Sequence, residues 1–191
     1  MAFKRLWWSF RLFTIRSATA RGEYLRKQNV FAAIGKNCTI QNRKIPLYAN
    51  LIRLGNNVRV GSGTSFITHD ATNLVLNHLD EKHYGHFQER VGCIEVGDNV
   101  FIGSSTRILY DTKIGSNVII GTGSVVTKDI PDNSVAVGIP ARVVGSFSDY
   151  VKKYQSLANY PAQLHPRGQV ASDELAKLLW KEFDEKHQNQ R

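Results

Sequence analysis

His69 is the residue in this chain best suited to do chemistry. It sits in the run FITHD, residues 66–70, with Asp70 beside it and a long polar stretch after it. An imidazole titrates near neutral pH and can take a proton from a hydroxyl or an amine. The same ring could equally serve as a structural histidine that bonds across a turn. His78, His83 and His86 follow, but spacings of five and three match no metal-ligating pattern, and Asp80, Glu81 and Glu89 read as solvated loop carboxylates. The two cysteines, Cys38 and Cys93, form no metal-type pair. Gly-x-Gly-x-x-Gly, Walker and Gly-x-Ser-x-Gly signatures are absent.

The elements that must position His69 follow an unusual period. From Val96 to Val126 an aliphatic residue recurs every sixth position: Val96, Ile102, Ile108, Ile114, Ile120, Val126. Four positions after each comes a small or β-branched residue (Val100, Thr106, Thr112, Val118, Ser124). A period of six is neither that of a helix nor that of a strand. It describes short straight segments joined by regular corners, each segment turning one large and one small side chain inward. Three segments make a coil of 18 residues, and stacked coils bury a continuous core. Gly after the aliphatic residue (Gly97, Gly103, Gly115, Gly121) is expected to permit the tight corner.

The period starts at Ile34 and Ile40, with Cys38 in a small inward slot. RKIPLYAN, residues 43–50, disturbs it, and it resumes at Leu54, Val60 and Phe66. By this count His69 falls at a corner and Asp70 in the next inward slot. Residues 71–92 are irregular, while coils on both sides keep one phase. That interval reads as a loop thrown out of one corner, and long loops of this kind carry function.

Both ends depart from the pattern. The chain has 191 residues and a formal net charge of +9. Residues 1–30 hold seven Lys or Arg against Glu23 alone, with Phe3, Leu6, Trp7, Phe10 and Phe13 at helical spacing and Trp8 beside them. Such a helix can cap the open end of the coil stack or lie on an anionic membrane, and the two are compatible. Basic residues do not alternate with aromatics as on a nucleic-acid-binding platform, which argues against nucleic acid. No run is long and apolar enough to span a bilayer, and the N-terminus lacks the order of a secretory signal, so a cytoplasmic protein is expected. After Val126 the run TKDIPDNSVAVGIPARVVG closes the coil, and a short helix follows over 147–160. Ser172 then reads as the N-cap of a last helix striped by Leu175, Leu178, Leu179 and Phe183. The expected organisation is a helical segment at 1–30, a β-coil domain at 31–146 and a helical appendage at 147–191.

IGTGSVVTKDIPDNSVAVGIPARVVG, residues 120–145, together with FITHD and the repeats at 54–65 and 96–119, resembles the hexapeptide-repeat acyltransferases. The nearest branch holds the maltose and galactoside O-acetyltransferases and the sugar O-acetyltransferases of surface glycans. The resemblance covers about residues 34–145. It implies an all-β fold class, a left-handed parallel β-helix, here with flanking helices and the long loop after the histidine. It also implies a homotrimer with acetyl-CoA between subunits, a carbohydrate acceptor and no required metal. The family's catalytic histidine matches His69, which would deprotonate an acceptor hydroxyl for direct attack on the thioester. The resemblance places Ser104 and Thr122 along the pantetheine arm, Thr127 and Lys128 near the nucleotide, and Arg142 in the closing segment beside the cofactor. Gly145 stands where several relatives carry a basic residue, and the 71–92 segment favours a larger acceptor. Acetylation of an amino sugar or a xenobiotic, and a non-catalytic structural subunit, are the alternatives.

Overall fold

The computed structural model describes residues 2–157, 160–166 and 170–188. They form two compact units, Met1–Val151 and Lys152–Arg191.

In the first unit the six-residue spacing produces three flat faces of parallel strands. One face stacks Ala33–Ile34, Ile52–Leu54, Ile94–Val96 and Thr112–Ile114. The second stacks Thr39–Ile40, Val58–Val60, Val100–Ile102, Val118–Ile120 and Ser134–Gly138. The third stacks Ser65–Ile67, Arg107–Leu109 and Val125–Val126. In-register pairs such as Phe66↔Ile108↔Val126 show that equivalent residues lie directly over one another. The aliphatic residues Val96, Ile102, Ile108, Ile114, Ile120 and Val126 are all buried. Truncating one of them would cost about 2–5 kcal/mol.

The small inward slots hold hydroxyls and a thiol, which burial penalises unless they find partners. Three of them donate to glycine carbonyls of a neighbouring coil, and Thr112 donates to Leu109 O. Thr64 Oγ1 donates to Gly103 O at 3.3 Å, Thr106 Oγ1 to Gly121 O at 3.2 Å and Cys38 Sγ to Gly55 O at 3.2 Å. Burial pushes the Cys38 thiol pKa up.

The glycines do a different job from the one expected. Gly97, Gly103, Gly115 and Gly121 keep negative φ. Their role is clearance: a Cβ on Gly103 would lie 2.4 Å from Thr122 N in the coil above. The left-handed turn at the corner falls two residues later. Asn57, Asn99, Asn117 and Asn133 take φ of 55–57° at one edge, and Gly63 and Gly123 take φ of 71° and 73° at the next. Asn tolerates this region because its short amide bonds locally. The amides also form a ladder: Asn57 Nδ2 donates to Asn99 Oδ1, and Asn99 Nδ2 to Asn117 Oδ1, both at 3.0 Å.

The lower end is closed by α1 (Ala2–Thr14) and α2 (Ala18–Lys27). From α2 the buried Arg21 donates to Ile40 O at 2.8 Å and Gln41 O at 3.3 Å, and also to the carbonyls of Ile15 and Arg16. The bonds to Ile40 O and Gln41 O saturate carbonyls at the lowest coil, which has no coil beneath it. α1 presents two apolar faces. Leu12 is 1% exposed and Trp8 packs on the core, whereas Phe3, Leu6, Trp7 and Phe10 are exposed on the outer side, Phe3 at 84%, and Phe13 is exposed beside Arg43. The stripe picked out by helical spacing is therefore mostly the outer face, and the capping face is the one offset from it. The upper end closes with Ala141–Ser146 pairing antiparallel to Ser134–Gly138.

The helices at the two ends mean that the chain as a whole is not all-β. A helix spans Phe147–Gln155 and another Asp173–Gln188. In the latter, Ser172 Oγ accepts from Leu175 N at 3.2 Å, the expected N-cap, and Leu175 is buried. The expected 147–160 segment and the linker after it fall partly outside the described residues.

Candidate active site

Two edges of the three-sided coil bound the third face and carry the residues singled out in the sequence. The edge after the third face holds His69 in its lowest level, Asp111 in the middle and Thr127–Lys128–Asp129 at the top, as the registers Phe66↔Ile108↔Val126 require. Coils stack about 4.8 Å apart, so Lys128 stands about 10 Å along the axis from the His69 level. Thr127 and Lys128 are both exposed.

At His69 the regular path ends. The step from Val96 to Ile114 takes 18 residues, but the equivalent step from Leu54 to Val96 takes 42. The chain leaves the coil after Ile67, and His69–Asp70 pairs antiparallel with Arg90–Val91 on the way back. Between them lie two short helical turns, Asn73–Leu76 and Glu81–Tyr84. Gly92 N donates to Thr68 O at 2.9 Å, and Thr68 Oγ1 to Leu47 O at 2.8 Å, which ties both strands to the 43–50 excursion.

His69 is half-buried. Its Nδ1 is buried and has no hydrogen-bond partner among the described residues. Most buried polar atoms are paired, so an orphan of this kind marks a place where something else binds. The Tyr48 ring meets the imidazole edge to face, with centroids 5.5 Å apart. Tyr48 Oη in turn donates to Glu89 Oε2 at 2.8 Å, and that bond to a carboxylate raises the phenol pKa. Asp70 does not enter the core. It accepts from Thr72 N at 2.6 Å, from the Thr72 hydroxyl, and from Tyr110 Oη at 3.3 Å. The Thr72 bonds first, then Tyr110, hold its carboxyl below the ordinary range.

The edge between the second and third faces collects the other expected cofactor residues. Ser62, Ser104 and Thr122 stack at successive levels: Ser105 N donates to Ser62 O, and Gly123 N to Ser104 O, both at 2.8 Å. Above them Gly138 N donates to Ser124 Oγ at 3.1 Å. This sets the turn Gly138–Ile139–Pro140–Ala141, and with it Arg142, over the same edge. Arg142 is exposed and donates to Ala141 O at 2.9 Å. Ser104, Thr122 and Arg142 thus share one edge, while His69, Thr127 and Lys128 share the neighbouring one.

Sequence reasoning missed Tyr48, Glu89 and Tyr110. Tyr48 lies in a stretch without period, has a left-handed backbone of φ 48°, and meets His69 with its ring. Tyr110 could have been found, because it precedes Asp111 at the corner stacked over His69. His78 and His83 are engaged inside the 71–92 segment, with Leu74 O and the Tyr84 ring respectively. Among the described residues no three His, Cys, Asp or Glu side chains converge as a metal site.

Comparison with known proteins agrees with this geometry. The family described as "Bacterial transferase hexapeptide (six repeats)" matches residues 94–128. Galactoside O-acetyltransferase of Lactococcus lactis subsp. lactis is 36% identical over 149 residues, covering 66% of this chain and 68% of that protein. Galactoside O-acetyltransferase of Escherichia coli K12 is 51% identical over 61 residues, a stretch spanning only 30% of that protein's length and 32% of this chain. Among solved structures, a maltose O-acetyltransferase from Clostridium difficile 630 superposes with a TM-score of 0.53 at 29% identity, covering 75% of this chain and 87% of that one. The likeness gives the coil its left hand. By the extent of the Lactococcus match and the repeat itself, this chain belongs to the hexapeptide-repeat acetyltransferase family.

Proposed function

We propose that this chain transfers an acetyl group from acetyl-CoA to a sugar hydroxyl, with His69 as general base. The observation that carries the reading is the half-buried His69 at the interrupted corner, its Nδ1 unpartnered, one face away from the Ser104–Thr122–Arg142 edge. The named activities of the galactoside and maltose O-acetyltransferase relatives support it.

His69 takes the proton of the acceptor hydroxyl as the oxygen attacks the thioester carbonyl. The tetrahedral oxyanion collapses, the carbon–sulfur bond breaks, and the CoA thiolate leaves with the proton from the imidazolium. No acyl-enzyme forms. Backbone N–H groups at the site would stabilise the oxyanion. Ser104 and Thr122 line the pantetheine arm, Thr127 and Lys128 the nucleotide end, and Arg142 offers a guanidinium to phosphate. The assembly is a homotrimer, and a neighbouring subunit completes each site. The reaction belongs in the cytoplasm, where acetyl-CoA is made, with the outward aromatic face of α1 giving peripheral membrane contact. Among the described residues no helix is long and apolar enough to cross a membrane.

One observation favours a second acceptor class. Glu89 bonds to Tyr48, whose ring abuts His69, so a carboxylate lies close to the acceptor side. A carboxylate there would suit an amine, as in N-acetylation of an amino sugar. Thiol release from acetyl-CoA, measured against sugars, nucleotide sugars and amino sugars, separates the two. Release with neutral sugars supports the hydroxyl reading and release confined to amines the other. No release with any acceptor, together with no CoA binding, would overturn both. Sedimentation at the mass of three chains is the expected assembly.

A further inference from the structure

A groove beneath α1 is left over by the acyl-transfer site. α1 contributes Arg5 and Phe13, the 43–50 excursion Arg43 and Lys44, and the second coil Ser62 and Phe66. Its volume, about 650 Å³, is that of a small-molecule site. No Asp or Glu lines it. Its lining charge is therefore one-signed. The neighbouring Arg21 is buried and spends its donors on four carbonyl oxygens. Its pKa is lowered by burial and then by the charge of Arg43.

The cations are braced rather than loose. Arg43 Nη1 donates to Phe13 O at 2.8 Å, with its guanidinium 5.8 Å from the Phe13 ring centroid. Arg5 Nη1 reaches Ile45 O at 3.5 Å. A guanidinium anchored through one of its five N–H donors keeps a fork for an oxyanion. The groove also borders the catalytic level. Leu47 lines it and precedes Tyr48, whose ring meets His69, and Phe66 lies three residues before His69 on the same coil.

We propose that this groove binds the phosphate or diphosphate of the acceptor, so that the sugar presented to His69 is phosphate-linked. The word acceptor rests on the acetyl-transfer reading; the anion site does not. The phosphate could belong to a nucleotide sugar or to a lipid-linked sugar, whose chain would meet the exposed face of α1.

The test is calorimetric titration of inorganic pyrophosphate into the full chain with CoA at saturation, which blocks the cofactor's own phosphate contacts. The wild type is compared with Arg43→Ala/Lys44→Ala, and with Lys44→Glu alone, an exposed change that leaves the Arg43–Phe13 bond intact. Pyrophosphate is expected to bind the wild type and to lose roughly tenfold or more in both variants, while CoA affinity and melting temperature hold. UDP-glucose and farnesyl diphosphate form the two further arms, and the tighter one names the source of the phosphate. Absence of pyrophosphate binding to the wild type, or equal binding to wild type and variants, would overturn the proposal. A chain that binds pyrophosphate here but releases no thiol with any acceptor would keep the anion site and retire its assignment to the acceptor.

Discussion

Residues 94–126 and residues 41–93 are built on one repeat and differ in what interrupts it. In the upper stretch each six-residue unit repeats the last, every inward side chain is buried, and the buried hydroxyls find backbone carbonyls. In the lower stretch the chain leaves the coil twice, at 43–50 and after Ile67. There two buried polar atoms, His69 Nδ1 and Asn73 Oδ1, lack partners among the described residues. Regular stacking pairs its inward polar groups with its own backbone. Breaking the stack at one level exposes a histidine, a tyrosine and a cationic groove without unsettling the coils above. The upper stretch is the regular scaffold, with Ser104 and Thr122 on its edge, and the lower stretch holds His69 where the stacking is interrupted.

The largest expected effect comes from forcing the scaffold apart. Gly103→Val puts a side chain 2.4 Å from the backbone N of Thr122, where neither partner can yield. It should cost about 3 kcal/mol or more by denaturant melts. Gly85→Ala, in the segment outside the coil, meets no atom within 4 Å and faces only the backbone penalty of φ +77°, ψ −166°, about 1–3 kcal/mol. Equal losses at the two sites would erase the contrast between the regions.

A smaller effect tests the Asn edge. Asn99→Ala should lose about 1–2 kcal/mol, because it must hold φ 57° and drops two rungs of the amide ladder. Asn99→Gly should recover the backbone part. Next, Tyr48→Phe removes the bond that ties Glu89 to the excursion. Its stability change should stay below about 1 kcal/mol, but residues 71–92 should be cleaved faster in limited proteolysis.

The smallest effect is a pH dependence. Asp70 binds its proton more weakly folded than unfolded, so its contribution is complete above the ordinary carboxylate pKa, about 4. It is lost as pH falls below that value through the lower folded one. Melts of Asp70→Asn should show a shallower loss below about pH 4 than the wild type.

How much of this was legible follows from which forces act locally. The period of six is set by side-chain volume inside the coil, so Ile102, Ile108, Ile114 and Ile120 announced the core. Counting in sixes also put His69 at a corner. The glycines were read for φ when their constraint comes from the next coil, 18 residues away, a contact that no local rule describes. Phe3, Leu6, Trp7, Phe10 and Phe13 were recognised as a stripe, yet only the docked pose shows that Trp8 and Leu12 do the capping. Asp70 was counted into an inward slot, but the chain exits before reaching it. Tyr48 and Glu89 are 41 residues apart and meet because two irregular excursions leave the coil at adjacent levels. Irregular segments carry no period, so their pairing lay beyond sequence reading.

The most direct test of the division between scaffold and site is the turnover of His69→Ala set beside its stability. With the acceptor found by thiol release, kcat should fall by roughly 10² or more, while the melting temperature stays within a few degrees of wild type, since His69 is outside the buried core. A variant that keeps acceptor-dependent turnover, or that loses it only by unfolding, would contradict the assignment of His69 as the base.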